Sequence, residues 1–105
     1  MREITVQELK DMQDNNEDFQ LVDVREPDEY EVANLNGELI PLGQVLQEHE
    51  KISREKKVVI HCRSGARSGN AVQLLEQQHG LDNLYNLKGG IRAYSMEIDP
   101  SIPLY

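Results

Sequence analysis

The chain holds a single cysteine, Cys62, no tryptophan and one phenylalanine in 105 residues. One thiol cannot close an internal disulfide and has no second thiol with which to build a metal site. No metal is therefore expected, and Cys62 is either a small buried hydrophobe or a reactive group. Long apolar runs are missing too. The longest, such as Val58 to Ile60, fall far short of the roughly 20 residues needed to cross a membrane, and the opening stretch "MREITVQELKDMQ" has no signal-peptide core. These absences predict a soluble, cytoplasmic protein without a membrane partner, in a reducing compartment that suits either use of the thiol. Positive charge is scarce as well: 11 Lys and Arg stand against 19 Asp and Glu, a net charge of −8. Such a surface repels phosphate backbones, which argues against nucleic acid as the partner.

What is present fits one small globular domain over residues 1–105, because two independent cores need more chain than this. The segments alternate between strand-like and helix-like. "EIT" leads into "TVQELKDMQ", where Thr5 and Glu8 have capping-box spacing and Val6, Leu9 and Met12 follow the helical period. Phe19 to Val24 is an apolar run bounded by polar residues, a buried strand. Pro27 and Asp28 suit a first helical turn, "ELIPL" is a short strand ended by Pro41, and "GQVLQEHEKI" predicts a short helix. "KKVVIHC" is the clearest central strand, since three consecutive β-branched residues favour burial on both faces. Ser68 to His79 reads as a helix closed by Gly80, "NLYNL" as a last strand, and "IRAYSMEI" as a last helix. Strand and helix in repeated alternation imply an α/β fold, a mostly parallel sheet with helices on both faces, whose ligands bind where strands end and helices begin.

The segment "HCRSGARSG" lies at such a junction, and from His61 to Leu75 there is no acidic residue, whereas Glu26 to Glu31 carries four. Gly65 permits a tight turn between strand and helix, and successive N–H groups in such a turn form an anion-binding nest reinforced by the helix dipole. A thiol at its floor is expected to ionise below its free value of about 8.5. Arg63 and Arg67 add positive charge and a fork for an anionic substrate.

Three segments, "LVDVREPDEYEVANLNG", "VVIHCRSGARS" and "NLKGGIRAY", in this order and spacing, resemble the rhodanese domain, a family of sulfurtransferases that carry sulfane sulfur as a cysteine persulfide. The resemblance implies a five-stranded, mostly parallel sheet flanked by helices. It also implies Cys62 as nucleophile and Arg63, Ser64, Gly65, Ala66, Arg67 and Ser68 as the loop that binds substrate and stabilises the persulfide. No cofactor is implied beyond that covalent persulfide. The partners implied are a small sulfur donor such as thiosulfate and a nucleophilic acceptor, with a protein sulfur acceptor or carrier among the candidates. The tail "GGIRAYSMEIDPSIPLY" resembles rhodanese domains fused behind enzymes that activate ubiquitin-like sulfur carriers, which points to relay rather than detoxification.

Cysteine phosphatases and arsenate-reducing relatives of similar fold are the rival reading. The phosphatases place five residues between cysteine and arginine to encircle a tetrahedral phosphoryl group, whereas "CRSGAR" has four, a ring fitted to one sulfur atom. A phosphatase also needs a general acid; none lies in the loop, and "EPDEYE" is the segment that could supply one. A non-catalytic interaction module is the third reading, against which the combination of Cys62, Arg63, Gly65 and Arg67 stands.

The sequence departs from the family pattern at "NLNGEL", where many rhodaneses have a histidine followed by "IPGA", and at Tyr94, where tryptophan is frequent. Asp23 and Arg25 share one face of a strand end and are expected to form a supporting ion pair. His61, adjacent to Cys62 on a strand, is expected to face away from it.

Overall fold

The computed structural model describes residues 1–104; the final residue of the tail, Tyr105, lies outside them. Five strands form one sheet: β1 (Glu3–Ile4), β2 (Phe19–Asp23), β3 (Glu38–Leu39), β4 (Lys57–His61) and β5 (Leu84–Leu87). Their order is β1-β5-β4-β2-β3, and every neighbouring pair is parallel. Four α-helices connect them: α1 (Val6–Asp14), α2 (Pro27–Val32), α3 (Ala66–His79) and α4 (Gly90–Glu97). No helix among the described residues is long and apolar enough to cross a membrane.

Each face of the sheet carries its own core because side chains alternate along β4. Val58, Ile60 and Cys62 pack with Ala71, Val72 and Leu75 of α3 on one face. Val59 packs with Val6, Leu9 and Met12 of α1 and with Ile91 and Tyr94 of α4 on the other. The apolar periodicity of α1 is therefore the face it buries. Its capping box is complete: the Glu8 N–H donates to Thr5 Oγ1 at 3.1 Å, and the Thr5 N–H donates to Glu8 Oε1 at 2.9 Å. Gly80, at φ +64°, closes α3 as expected.

Two local expectations change. The stretch from Gly43 to Ile52 is not an α-helix but two 3-10 turns, Leu42–Gln44 and His49–Lys51. Only Val45 and Ile52 are fully buried there, which is too sparse an apolar stripe to hold a continuous short helix. Helix α3 starts at Ala66, two residues earlier than the pattern suggested, with Gly65 as its cap.

The chain leaves β2 toward one edge of the sheet and leaves β4 toward the other, while β2 and β4 lie side by side. The switch point of the strand order therefore lies between their carboxyl ends, the position where parallel α/β sheets bind ligands. Cys62 follows β4 there, Asp23 ends β2 and Arg25 lies two residues further on.

Candidate active site

Gly65 has φ +106°, a left-handed conformation that lets the chain turn from β4 into α3 within four residues. The turn points backbone N–H groups at the sulfur. The Gly65 N–H donates to Cys62 Sγ at 3.1 Å, and the Ser68 hydroxyl lies 3.3 Å from the same atom. Cys62 is 1% exposed, at the floor of a loop whose rim, Arg63 and Ser64, is exposed. Burial pushes the thiol up, but hydrogen bonds from the Ser68 hydroxyl and from the N–H groups of Ser68, Gly65 and Ser64 outweigh it and leave the thiol below its ordinary value.

The outer side of the loop is fixed by α4. The N–H groups of Ile91 and Arg92, free donors of that helix's first turn, donate to the carbonyls of Cys62 and Arg63 at 2.9 and 3.0 Å. With the carbonyls held by α4, the amides are left to face the sulfur. The close approach depends on Gly90, at φ +60°, because a β-carbon there would overlap both carbonyl oxygens. Gly90→Ala is therefore expected to cost about 2–4 kcal/mol in urea denaturation, from left-handed strain plus overpacking. The thiol of any folded fraction should ionise at higher pH than in the parent.

Arg67 does not present a free fork to the site. Its Nη1 and Nη2 donate to Glu29 Oε1 and Oε2 at 2.7 and 2.9 Å, a bidentate pair that ties α2 to the start of α3. Glu29 comes from the acidic "EPDEYE" segment, and its Oε1 also accepts the Glu26 N–H at 3.0 Å. The Arg67 guanidinium, opposed in part by burial and helped by the Glu26 N–H, lowers the Glu29 carboxyl to about 2. Glu29 releases its proton far more readily when folded than at its ordinary value of 4.5. The stability it contributes is thus complete above pH 4.5 and disappears as the pH falls toward 2. Glu29→Gln is expected to lower stability at pH 7 by about 1–2 kcal/mol, allowing for solvent screening at the partly exposed Arg67. Denaturation curves of parent and variant should converge as the pH falls from 4.5 toward 2.

Asp23 and Arg25 form the expected pair, and both are buried. Arg25 Nε and Nη2 donate to the Asp23 carboxylate at 3.0 and 2.9 Å, and Nη2 also donates to the Ala33 carbonyl at 2.7 Å. The pair thereby anchors the chain leaving α2. His61 faces the opposite side of β4 from Cys62: its Nδ1 lies 3.4 Å from the Cys62 carbonyl oxygen and its Nε2 3.6 Å from Asp23 Oδ2. Burial, only partly countered by Asp23, lowers the His61 pKa, so the ring is neutral. Tyr94 is a core residue whose hydroxyl donates to Gln13 Oε1 at 2.9 Å, and Tyr30 a half-buried one whose hydroxyl donates to the Gly37 carbonyl at 2.8 Å.

Sequence reasoning missed Asn86. This residue of β5 is 2% exposed; its Nδ2 donates to the Gly65 carbonyl at 3.1 Å and its Oδ1 accepts from the Ser68 hydroxyl at 2.5 Å. The available signal was an asparagine inside the apolar run "LYNL", where strands disfavour it and burial demands a partner.

A parallel α/β domain with a thiol at a strand end, ringed by inward amides and a helix start, defines a class of cysteine-loop proteins. Within that class the chain belongs to the rhodanese-like domain family, which it matches over residues 5–97. It is 41% identical over 113 residues to the rhodanese-like/PpiC domain-containing protein 12, chloroplastic, of Arabidopsis thaliana, covering 100% of this chain and 38% of that protein. It is 30% identical over 105 residues to the probable adenylyltransferase/sulfurtransferase MoeZ of Mycobacterium tuberculosis, covering 97% of this chain and 26% of that protein. The chain thus spans well under half the length of either relative. Among solved structures, a rhodanese-like domain protein of Staphylococcus aureus superposes with a TM-score of 0.82 at 32% identity, covering 90% of this chain and 91% of that one.

Proposed function

We propose that this domain is a sulfurtransferase that moves sulfane sulfur from thiosulfate or a persulfide donor to a nucleophilic acceptor through a persulfide on Cys62. The observation that carries this reading is Sγ at the floor of a four-residue ring, within hydrogen-bond reach of the Gly65 N–H and the Ser68 hydroxyl. In the first step the Cys62 thiolate attacks the sulfane sulfur of thiosulfate, a new S–S bond forms, and sulfite leaves with the electron pair of the bond that breaks. In the second step the acceptor attacks the outer sulfur of the persulfide, and Sγ departs as thiolate. The loop amides stabilise negative charge on sulfur at both stages, as an oxyanion hole does on oxygen. No cofactor takes part, and Arg63, exposed at the rim, is placed to attract an anionic donor.

Two features weigh against phosphoryl transfer. The fork of Arg67 that would clamp a phosphoryl group is committed to Glu29. Glu29, held near 2, carries no proton at neutral pH to give to a leaving alkoxide. The acceptor we favour is a protein sulfur carrier, since one relative is named as both adenylyltransferase and sulfurtransferase.

Incubation with thiosulfate, polysulfide or a low-molecular-weight persulfide, followed by intact-mass measurement, is expected to show one added sulfur atom that cyanide removes. Failure of all three donors would overturn the proposal, and Cys62-dependent hydrolysis of an aryl phosphate would replace it with the phosphatase reading.

A further inference from the structure

The Ser68 hydroxyl has one hydrogen and two acceptors within reach: Asn86 Oδ1 at 2.5 Å and Cys62 Sγ at 3.3 Å. It cannot serve both at once. Ser68 is fully buried and Asn86 nearly so, which keeps water from substituting for either bond. Asn86 has a second tie, from its Nδ2 to the Gly65 carbonyl, so its Oδ1 is held in place beside the hydroxyl. That carbonyl also accepts the Gly69 N–H at 3.0 Å and keeps a partner if Asn86 is lost. The shorter bond goes to the neutral amide oxygen. A neutral thiol sulfur, or a sulfur already bonded to a second sulfur, is a poor acceptor, whereas a thiolate is a strong one.

We propose that Asn86 is a positioning residue that parks the Ser68 hydroxyl hydrogen while Cys62 Sγ is uncharged and yields it when Sγ takes up an electron pair. The proposal deepens the sulfur-transfer reading and rests on it for its catalytic meaning. In the persulfide the negative charge sits on the outer sulfur, and the hydroxyl stays with Asn86. As the acceptor's lone pair bonds to the outer sulfur and the S–S bond breaks, its electron pair goes to Sγ, and the hydroxyl swings to donate to the new thiolate. The hydroxyl therefore stabilises the leaving thiolate without stabilising the persulfide it leaves from, which favours discharge. A second consequence has a sign that mere structural support would not produce. Without the Asn86 acceptor, the hydroxyl has only the sulfur to serve, and the thiolate gains.

The test is the pH dependence of Cys62 alkylation by iodoacetamide, with single-turnover loading from thiosulfate and discharge to cyanide measured on the same variants. Ser68→Ala is expected to raise the alkylation midpoint by about one pH unit, the loss of one hydrogen bond to a charged group. It should slow discharge about tenfold, and loading at a pH above the raised midpoint much less. Asn86→Leu, of similar size but without the acceptor, is expected to lower the midpoint by about half a unit and to leave discharge fast. In the Ser68→Ala background it should change neither. Asn86→Asp, which grips the hydroxyl hydrogen with a full charge, is expected to raise the midpoint and decides the matter should the leucine variant not fold. An upward shift for Asn86→Leu equal to that of Ser68→Ala would overturn the proposal, as would an unmoved midpoint in Ser68→Ala or in Asn86→Asp. If the parent protein accepts no sulfur from any donor, the sulfur-transfer reading fails, while the alkylation midpoints still decide whether Asn86 acts through Ser68.

Discussion

Cys62→Ser is expected to abolish sulfur loading and transfer while leaving the fold intact. The substitution changes one atom at a position 1% exposed, and an alcohol fits where the thiol did. Its effect is chemical: a serine oxygen, with a pKa far above that of a thiol, is not ionised by a few amide hydrogen bonds, and the protein has no second thiol to take its place. After thiosulfate treatment the variant should keep its unmodified mass under conditions that load the parent fully. Transfer to cyanide should fall to the uncatalysed rate. The thermal midpoint should stay near that of the parent, since the loop is held from outside by α4, through carbonyls that the substitution does not touch. Residual turnover in Cys62→Ser would mean that sulfur moves by a route other than the one proposed.

Arg25→Met is expected to produce the largest loss of stability of any single substitution considered. Arg25 and Asp23 are 1% and 0% exposed and satisfy each other through three guanidinium hydrogen bonds. Removing the arginine leaves the Asp23 carboxylate inside the protein with the Arg25 backbone N–H and the neutral His61 ring beside it. Stripping one partner from a buried pair costs about 3–5 kcal/mol, a large share of the roughly 5–15 kcal/mol that holds a domain of this size together. The Ala33 carbonyl loses its donor at the same time, so the exit of α2 should loosen. Urea denaturation reads the loss directly. Replacing both members, as Asp23→Leu with Arg25→Met, is expected to recover part of it, because the unpaired charge rather than the missing attraction dominates the cost. If the double variant is less stable than Arg25→Met alone, that assignment of the cost is wrong.

The strand run "KKVVIHC", the Thr5 and Glu8 cap and the period of Val6, Leu9 and Met12 determined a parallel α/β domain from the sequence alone. Each depends on residues within one or two turns of chain, the range over which pattern and propensity act. The position of the cysteine and its ring of amides was legible for the same reason. A lone thiol, a turn glycine and a helix start lie within seven consecutive residues, and local geometry dictates where their amides point. The face of His61 followed from strand alternation, and the pairing of Asp23 with Arg25 from their spacing of two. The failure at Gly43 to Ile52 marks the limit of that reasoning, since apolar residues at helical spacing do not make a helix where too few of them find a core.

Tertiary structure alone decided which groups complete the site. The partner of Arg67 is 38 residues away in the most acidic segment of the chain, and the partner of Ser68 is 18 residues away on β5. Neither spacing belongs to any helix or strand period, so no pattern could announce it. Parallel strands need long crossovers, and the sheet order β5-β4-β2 brings Asn86 against one side of the cysteine loop and the crossover from β2 brings Glu29 against the other. The sequence determined that a turn of inward amides lowers the Cys62 thiol below its ordinary value. The packing of the sheet decided that Arg67 is spoken for by Glu29 and that the Ser68 hydroxyl has a second acceptor, because both depend on distances that only the folded chain sets.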